Sequence, residues 1–334
     1  MKDKHFNKRV SLSLLNLNKK MSQKTLILGA CGQIGTELTM ALRALYGGEQ
    51  VVASDIRKGE EDLVAGGPFE ILDATNLHAL EEVIMHYEID TVYLMAAMLS
   101  ATAEKFPMKA WDLNMNSLFN VLNLAKEKKI NRVFWPSSIA VFGPNTAKEN
   151  TPQHSIMEPS TVYGMSKLAG EGWCQYYHKQ YGVDVRSIRY PGLISWKTQP
   201  GGGTTDYAVD IFHKALSEGE YQSFLKAETA LPMMYMEDAI RATIEIMESA
   251  SHALKKGQAY NLSAMSFSPE KLALEIQSHI PEFKISYAPD FRQNIADSWP
   301  SSVNDTEAQK DWDWAPKFNL ELMVKEMLAH LKNE

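Results

Sequence analysis

The sequence predicts an α/β protein: a doubly wound parallel sheet with a smaller C-terminal lobe. Three observations carry that expectation. A short apolar run, TLIL from Thr25, feeds straight into a glycine turn, Gly29, Gly32 and Gly35, and then into a helical pattern. Apolar strands and amphipathic helices go on alternating as far as Tyr190, as a parallel sheet covered on both faces requires. Beyond Gly192 the pieces shorten into GGGTTDYA, LPMMYM, SFSPEKL and SWP, punctuated by Gly and Pro and suited to a lobe that covers a ligand.

Length and charge set outer limits. With 334 residues, 45% hydrophobic and 22% charged, the chain can build one large or two modest domains with a buried core. A net charge of −7 gives no general attraction to nucleic acid or anionic membrane, so neither is an expected partner. Cys31 and Cys174, the only cysteines, argue against a disulfide framework and fit a reducing compartment such as the cytoplasm. No apolar run reaches the length of a bilayer span. Residues 1–21 stand apart, with Lys2, Lys4, Lys8, Arg9, Lys19 and Lys20 against one acid, Asp3. Two readings of this leader stand: a disordered extension ahead of a functional start at Met21, or a presequence for the mitochondrial matrix.

The first strand–turn–helix unit points to the ligand class. Glycines permit a tight turn and close approach of a pyrophosphate, which sits on the positive N-terminus of the following helix. Gly29, Gly32, Gln33, Ile34 and Gly35 are the expected cradle, with Ile34, Leu38, Ala41, Leu42 and Leu45 on the buried side of the helix. The next strand, 50–54, ends at Asp55, where a carboxylate accepts from an adenosine ribose and repels a 2′-phosphate. NAD is the expected cofactor, although Arg57 and Lys58 leave NADP open. Asp73 closes FEILD, either beside the adenine edge or as a surface-turn residue.

TVYLMAAMLS, residues 91–100, reads as a strand buried on both faces. It turns small and then polar at Ala96, Ala97 and Ser100, where an open sheet meets its ligand. A helix over about 110–128 contains Asn114; a strand at 132–135 runs into Pro136-Ser137-Ser138; a helix follows from about 160 to 181; a strand at 183–190 closes on Pro191-Gly192. These elements imply a nicotinamide-dinucleotide (Rossmann) domain over 22–195. Residues 196–334 are then mainly a substrate lobe, with some segments returning to the first domain.

The helix from 160 carries the only Tyr-x-x-x-Lys of the chain, Tyr163 and Lys167. Residues four apart share a helix face, so the ammonium is expected to lower the phenol pKa and make it a base at neutral pH. Ser138, at a strand end on the same side, can hold a substrate oxygen. Removing the proton of an alcohol while nicotinamide oxidises its carbon is dehydrogenase chemistry. No metal is expected: Cys174 and His178 are the only Cys/His pair at helical spacing, and two ligands do not make a structural zinc site.

In order along the chain, the glycine motif, Asn114, Ser138, Tyr163 with Lys167, and Pro191-Gly192 resemble the extended short-chain dehydrogenase/reductase family, which includes the sugar-nucleotide epimerases. More narrowly, PSSIAVFG, STVYGMSK, RYPGLIS, PGGGTTDYA, LPMMYM, SFSP and SWP resemble the L-threonine 3-dehydrogenases of that family, and the likeness runs from Lys24 to about Leu328. The resemblance implies oxidation of the threonine β-hydroxyl by NAD to 2-amino-3-ketobutyrate. Tyr163 is then the base, Lys167 its partner and a ligand of the nicotinamide ribose, and Ser138 the polariser, where the family often has Thr. It further implies Asn114 and Pro191 at the cofactor, and Ser100, Thr204, Thr205 and Trp299 around the amino acid. Thr204 and Thr205 follow three glycines, consistent with a loop that closes over substrate. A homodimer is implied too, a four-helix bundle of the helices around 114–128 and 163–181. Leu118, Val121, Leu122 and Ala125 suit that interface, as they would a sheet-facing stripe.

Two rival readings are a UDP-sugar 4-epimerase and a non-catalytic dinucleotide sensor. A UDP-sugar brings a pyrophosphate, for which arginine is the favoured partner. No Arg lies between Tyr190 and Ile240, and only Arg292 after Ala242, which argues against the epimerase. A sensor needs the glycine turn but has no use for Ser138, Tyr163 and Lys167 together.

Overall fold

The structure, a computed structural model, describes residues 24–197 and 203–332. The leader 1–21 and the first two glycines of the expected closing loop, Gly201 and Gly202, lie outside the described residues. The order is β1 (Lys24–Leu28), α1 (Gln33–Tyr46), β2 (Val51–Asp55), α2 (Glu61–Ala65), β3 (Phe69–Ile71), α3 (Leu77–Tyr87) and β4 (Ile89–Leu94). Then come α4 (Ser100–Lys105), α5 (Pro107–Lys126), β5 (Arg132–Phe134), β6 (Ser137–Ser138), α6 (Val162–Tyr181), β7 (Asp184–Tyr190) and β8 (Gly192–Ile194). The second half holds α7 (Tyr207–Ser217), β9 (Glu220–Ser223), β10 (Leu231–Tyr235), α8 (Met236–Glu248), β11 (Ala259–Asn261) and β12 (Met265–Phe267). It ends with α9 (Pro269–His279), β13 (Lys284–Tyr287), α10 (Phe291–Ser298), α11 (Thr306–Trp312) and α12 (Leu320–Leu331).

The main sheet has the order β11-β7-β5-β4-β1-β2-β3, with β6 beside β7, and its pairings are parallel. Strand order reverses between β1 and β4, and a ligand of such a sheet binds in the crevice at that point. The apolar run of β1 follows from its central place. Leu26 and Leu28 enter one core with Val52, Leu94, Leu118 and Val121, while Ile27 enters the other with Val51, Leu38, Leu42 and Ile246. The fold is thus the expected doubly wound α/β sheet. The strand expected over 91–100 is shorter: β4 ends at Leu94, and Ser100 already opens α4.

Leu118, Val121 and Leu122 are fully buried among the strands, so this stripe faces the sheet and not a partner. The apolar groups exposed on α5 and α6 are instead Met108, Trp111, Met165, Trp173, Tyr176 and Tyr181. Beyond Gly192, β11 returns to pair with β7 and α8 returns to pack against α1. The remaining elements form a lobe around Phe142, Tyr207, Phe212, Leu231, Phe267 and Met327, with β12-β10-β8 and β13-β9 as small sheets. No helix among the described residues is long and apolar enough to cross a membrane.

Candidate active site

Two adjoining cavities open at the reversal point of the sheet and share Gly29, Gly32, Met95 and Ala97. The glycine turn shapes the shared floor. Gly29 has φ +88°, and a Cβ there would stand 2.6 Å from the Ala96 amide nitrogen; at Gly35 it would stand 2.1 Å from the Gly29 carbonyl oxygen. Side chains are therefore excluded where a phosphate must approach backbone amides. The amides of Gly29 and Ala30 both donate to Ser54 O, at 2.9 and 2.8 Å, which docks the turn on β2.

One cavity is lined by Asp55, Ile56, Arg57, Asp73 and Ala96. Asp55 is buried; its Oδ2 accepts from the Cys31 amide at 3.0 Å and its Oδ1 from the Arg57 amide at 3.2 Å. The carboxylate is thereby held at the cavity wall with lone pairs to spare for a ribose. Asp73 lines this cavity and closes a turn, its Oδ1 accepting from the Thr75 amide at 2.9 Å and hydroxyl at 2.7 Å.

The other cavity, of about 200 Å³, brings together Gln33, Ile34, Gly35, Ser100, Ser138, Tyr163, Lys167, Pro191, Thr204, Thr205 and Trp299. Thr161 caps α6 by accepting from the Gly164 amide at 3.0 Å, so the helix opens one residue before Tyr163. Lys167, one turn on, is buried. Its Nζ donates to Pro136 O at 2.6 Å and lies 4.7 Å from the Trp135 ring centroid and 5.5 Å from that of Tyr163. Ser138 lies at the end of β6, where its Oγ accepts from the Ala140 amide at 3.2 Å, and it lines the same cavity as Tyr163.

The electrostatics depart from the sequence expectation. Burial pushes the Lys167 ammonium down to about 7, against the opposing pull of Cys174 and Glu171. Burial also pushes the Tyr163 phenol up to about 12, with the nearby Ser138 hydroxyl acting the other way. A helix-surface pair in water would favour the phenolate; taking both groups out of water penalises each charged form first. Asn114, expected at the cofactor, lines neither cavity. Its Oδ1 accepts from the Met98 amide at 2.8 Å and its Nδ2 donates to Ser166 Oγ at 3.1 Å, so it ties the loop after β4 to α6.

Sequence reasoning missed the groups behind these side chains. Glu171, one turn past Lys167, receives Arg189 on both oxygens at 2.8 Å, and its Oε1 also accepts from Ser137 Oγ at 2.5 Å. This buried pair holds the Ser137–Ser138 strand against α6. Glu171 four residues after Lys167 was a visible signal; its partner from β7 was not. Thr204 Oγ1 is buried and, among the described residues, has no hydrogen-bond partner. A hydroxyl left so at a cavity wall is one that a ligand can satisfy.

The family model for the NAD dependent epimerase/dehydratase family matches residues 25–263. The chain belongs to this family. An uncharacterised epimerase/dehydratase of Staphylococcus saprophyticus is 52% identical over 314 residues, which are 93% of this chain and 98% of that protein. A partial-consensus L-threonine 3-dehydrogenase superposes with TM-score 0.91 at 55% identity, over 93% of this chain and all of the other. A GalE-like L-threonine dehydrogenase from Cupriavidus necator, in holo form, superposes with TM-score 0.90 at 54% identity, over 92% of this chain and 99% of that one.

The cofactor is NAD, and the residues present fit it. The cradle that side chains would fill at Gly29 and Gly35 suits the pyrophosphate, and the buried Asp55 carboxylate suits an unphosphorylated ribose. The neighbouring cavity holds Tyr163 and Lys167.

Proposed function

We propose that this family member is an L-threonine 3-dehydrogenase, oxidising the β-hydroxyl of L-threonine to 2-amino-3-ketobutyrate. The observation that carries the reading is the make-up of the cavity around Tyr163. It gathers the hydroxyls of Ser100, Ser138, Tyr163, Thr204 and Thr205, and no arginine among its described lining residues. Hydroxyls suit a small polar zwitterion, whereas a nucleotide sugar brings a pyrophosphate that favours guanidinium. The L-threonine dehydrogenases that superpose on the chain support the same choice.

When bound, NAD supplies the two-electron acceptor. Ser138 holds the substrate oxygen, and Tyr163, once its own proton has left to solvent, takes the hydroxyl proton as the phenolate and so returns to the phenol. Lys167, fixed by Pro136 O with its Nζ 5.5 Å from the Tyr163 ring centroid, favours that phenolate when it carries its positive charge. The division of labour follows the fold, with 22–195 binding NAD and most of 196–334 closing over the amino acid. A homodimer would cover the aromatic face of α5 and α6, where Trp111, Trp173 and Tyr176 are exposed.

The test is NADH formation with L-threonine and other hydroxy-amino acids, beside epimerisation of UDP-sugars. Threonine-dependent NADH formation is expected, and Tyr163→Phe should cut it by about 10²–10⁴-fold while NAD binding persists. No signal with threonine, or full turnover by Tyr163→Phe, would overturn the reading.

A further inference from the structure

Lys148 lies in the loop between β6 and α6, in the first half of the chain, yet it grips the second. Its Nζ donates to the carbonyl oxygens of Asp297 at 2.8 Å and Trp299 at 3.2 Å, at the C-terminal end of α10. Its own carbonyl accepts from the Ser301 amide at 2.7 Å and the Ser301 hydroxyl at 2.9 Å. Further along, Thr151 and Val303 form a parallel bridge, the Thr151 amide donates to Ser302 O at 3.0 Å, and the Asn150 amide donates to Ser302 Oγ at 2.8 Å. A seam thus joins 148–151 to 297–304. Trp299 is the one residue of that second segment lining the cavity with Tyr163, and it is 7% exposed.

The backbone bonds alone can hold the two segments together. What the ammonium adds is direction. The last carbonyls of a helix lack intrahelical partners and carry the negative end of its dipole, so a cation there is favoured. Asp297 O and Trp299 O bracket the turn that aims the indole, and one ammonium bonds both. The same turn is tied to the catalytic helix: Ser298 Oγ accepts from Ser160 Oγ at 3.3 Å, three residues before Tyr163.

We propose that Lys148 is a positioning residue: by clamping the carbonyls on either side of Ser298, its ammonium sets the Trp299 indole as a wall of the substrate pocket. The proposal rests on the reading of this cavity as an amino-acid site. Lys148 is itself exposed and makes none of the contacts that hold the glycine turn, Asp55 or Tyr163, so its loss should spare folding and NAD binding.

The test uses the full chain labelled with fluorotryptophan, as wild type, Lys148→Met and Lys148→Arg, with Trp299→Phe to identify the Trp299 fluorine resonance. In Lys148→Met that resonance should move or broaden, and in Lys148→Arg it should return towards its original position. The KM for threonine should rise about tenfold in Lys148→Met, a ratio equivalent to about 1.4 kcal/mol, with the KM for NAD and Tm unchanged. An unmoved Trp299 resonance in Lys148→Met overturns the proposal whatever the activity. So does a parallel rise in both KM values with a fall in Tm, which marks general loosening. If the wild type fails to oxidise threonine, the substrate reading falls, while the fluorine signal still decides the role of Lys148.

Discussion

Replacing Lys167 by Met removes a charge that the fold holds at a cost. The ammonium is driven from its ordinary value of 10.5 to about 7 by burial. At 1.36 kcal/mol per pH unit this is about 5 kcal/mol of lost preference for the charged form. Met has similar length and no charge, but it leaves Pro136 O without its 2.6 Å donor. A buried carbonyl so orphaned costs about 1–3 kcal/mol, so Lys167→Met should gain about 2–4 kcal/mol of stability below pH 7. The gain should fade with pH. Unfolded lysine titrates near 10.4 and the folded group near 7, so in between the unfolded wild type binds the extra proton and wild-type stability rises with pH. The penalty is thus fully present below about pH 7 and is relieved as pH climbs, by up to about 1.4 kcal/mol per unit. Tyr163, pushed up to about 12, and the buried Cys174 thiol, also raised, stay protonated in the folded protein across that window. Their unfolded-state titrations are common to both proteins and cancel in the difference. Urea unfolding of both proteins without cofactor, from about pH 6 to 9, measures the effect. A difference that does not change with pH, or a variant less stable throughout, would refute the reasoning. Threonine oxidation should be lost in the variant at every pH.

Gly35→Ala places a Cβ 2.1 Å from the Gly29 carbonyl oxygen and 2.9 Å from Ala30 Cα, so backbone must move. A cost of about 1–3 kcal/mol and at least a tenfold weaker NAD complex are expected by calorimetry, and an unchanged Kd would contradict the cradle. Glu171→Leu strands the Arg189 guanidinium in the interior and frees Ser137, for a loss of about 3–5 kcal/mol in thermal or denaturant unfolding. A loss under about 1 kcal/mol would show that the network is not holding β6 to α6. Thr204→Val removes a buried hydroxyl that has no partner among the described residues. It should be neutral or stabilising by up to about 1 kcal/mol while raising the KM for threonine; an unchanged KM would remove Thr204 from the substrate contacts.

Local features were readable where chemistry and spacing act over a few residues. The strand–turn–helix around Gly29, Gly32 and Gly35 is one, because a glycine at φ +88° and another facing a carbonyl are demands of the turn itself. Asp55 is another, placed by the length of α1 and β2. The buried stripe of α5 was visible as a period, but Leu118 and Val121 look the same in sequence whether they meet a sheet or a partner helix. Asn114 is similar: its position on α5 was clear, its bonds to Met98 and Ser166 were not.

By itself the sequence determined the doubly wound sheet, the dinucleotide end of the cleft, and the spacing of Tyr163 and Lys167 on one helix face. Those follow from backbone sterics and side-chain periodicity, which are local. Only the tertiary structure decided which partners meet across long separations, Glu171 with Arg189 and Lys148 with the turn before Trp299. It also decided the sign of the shifts at Tyr163 and Lys167. Desolvation is a property of everything packed around a group, and no spacing within one helix contains it.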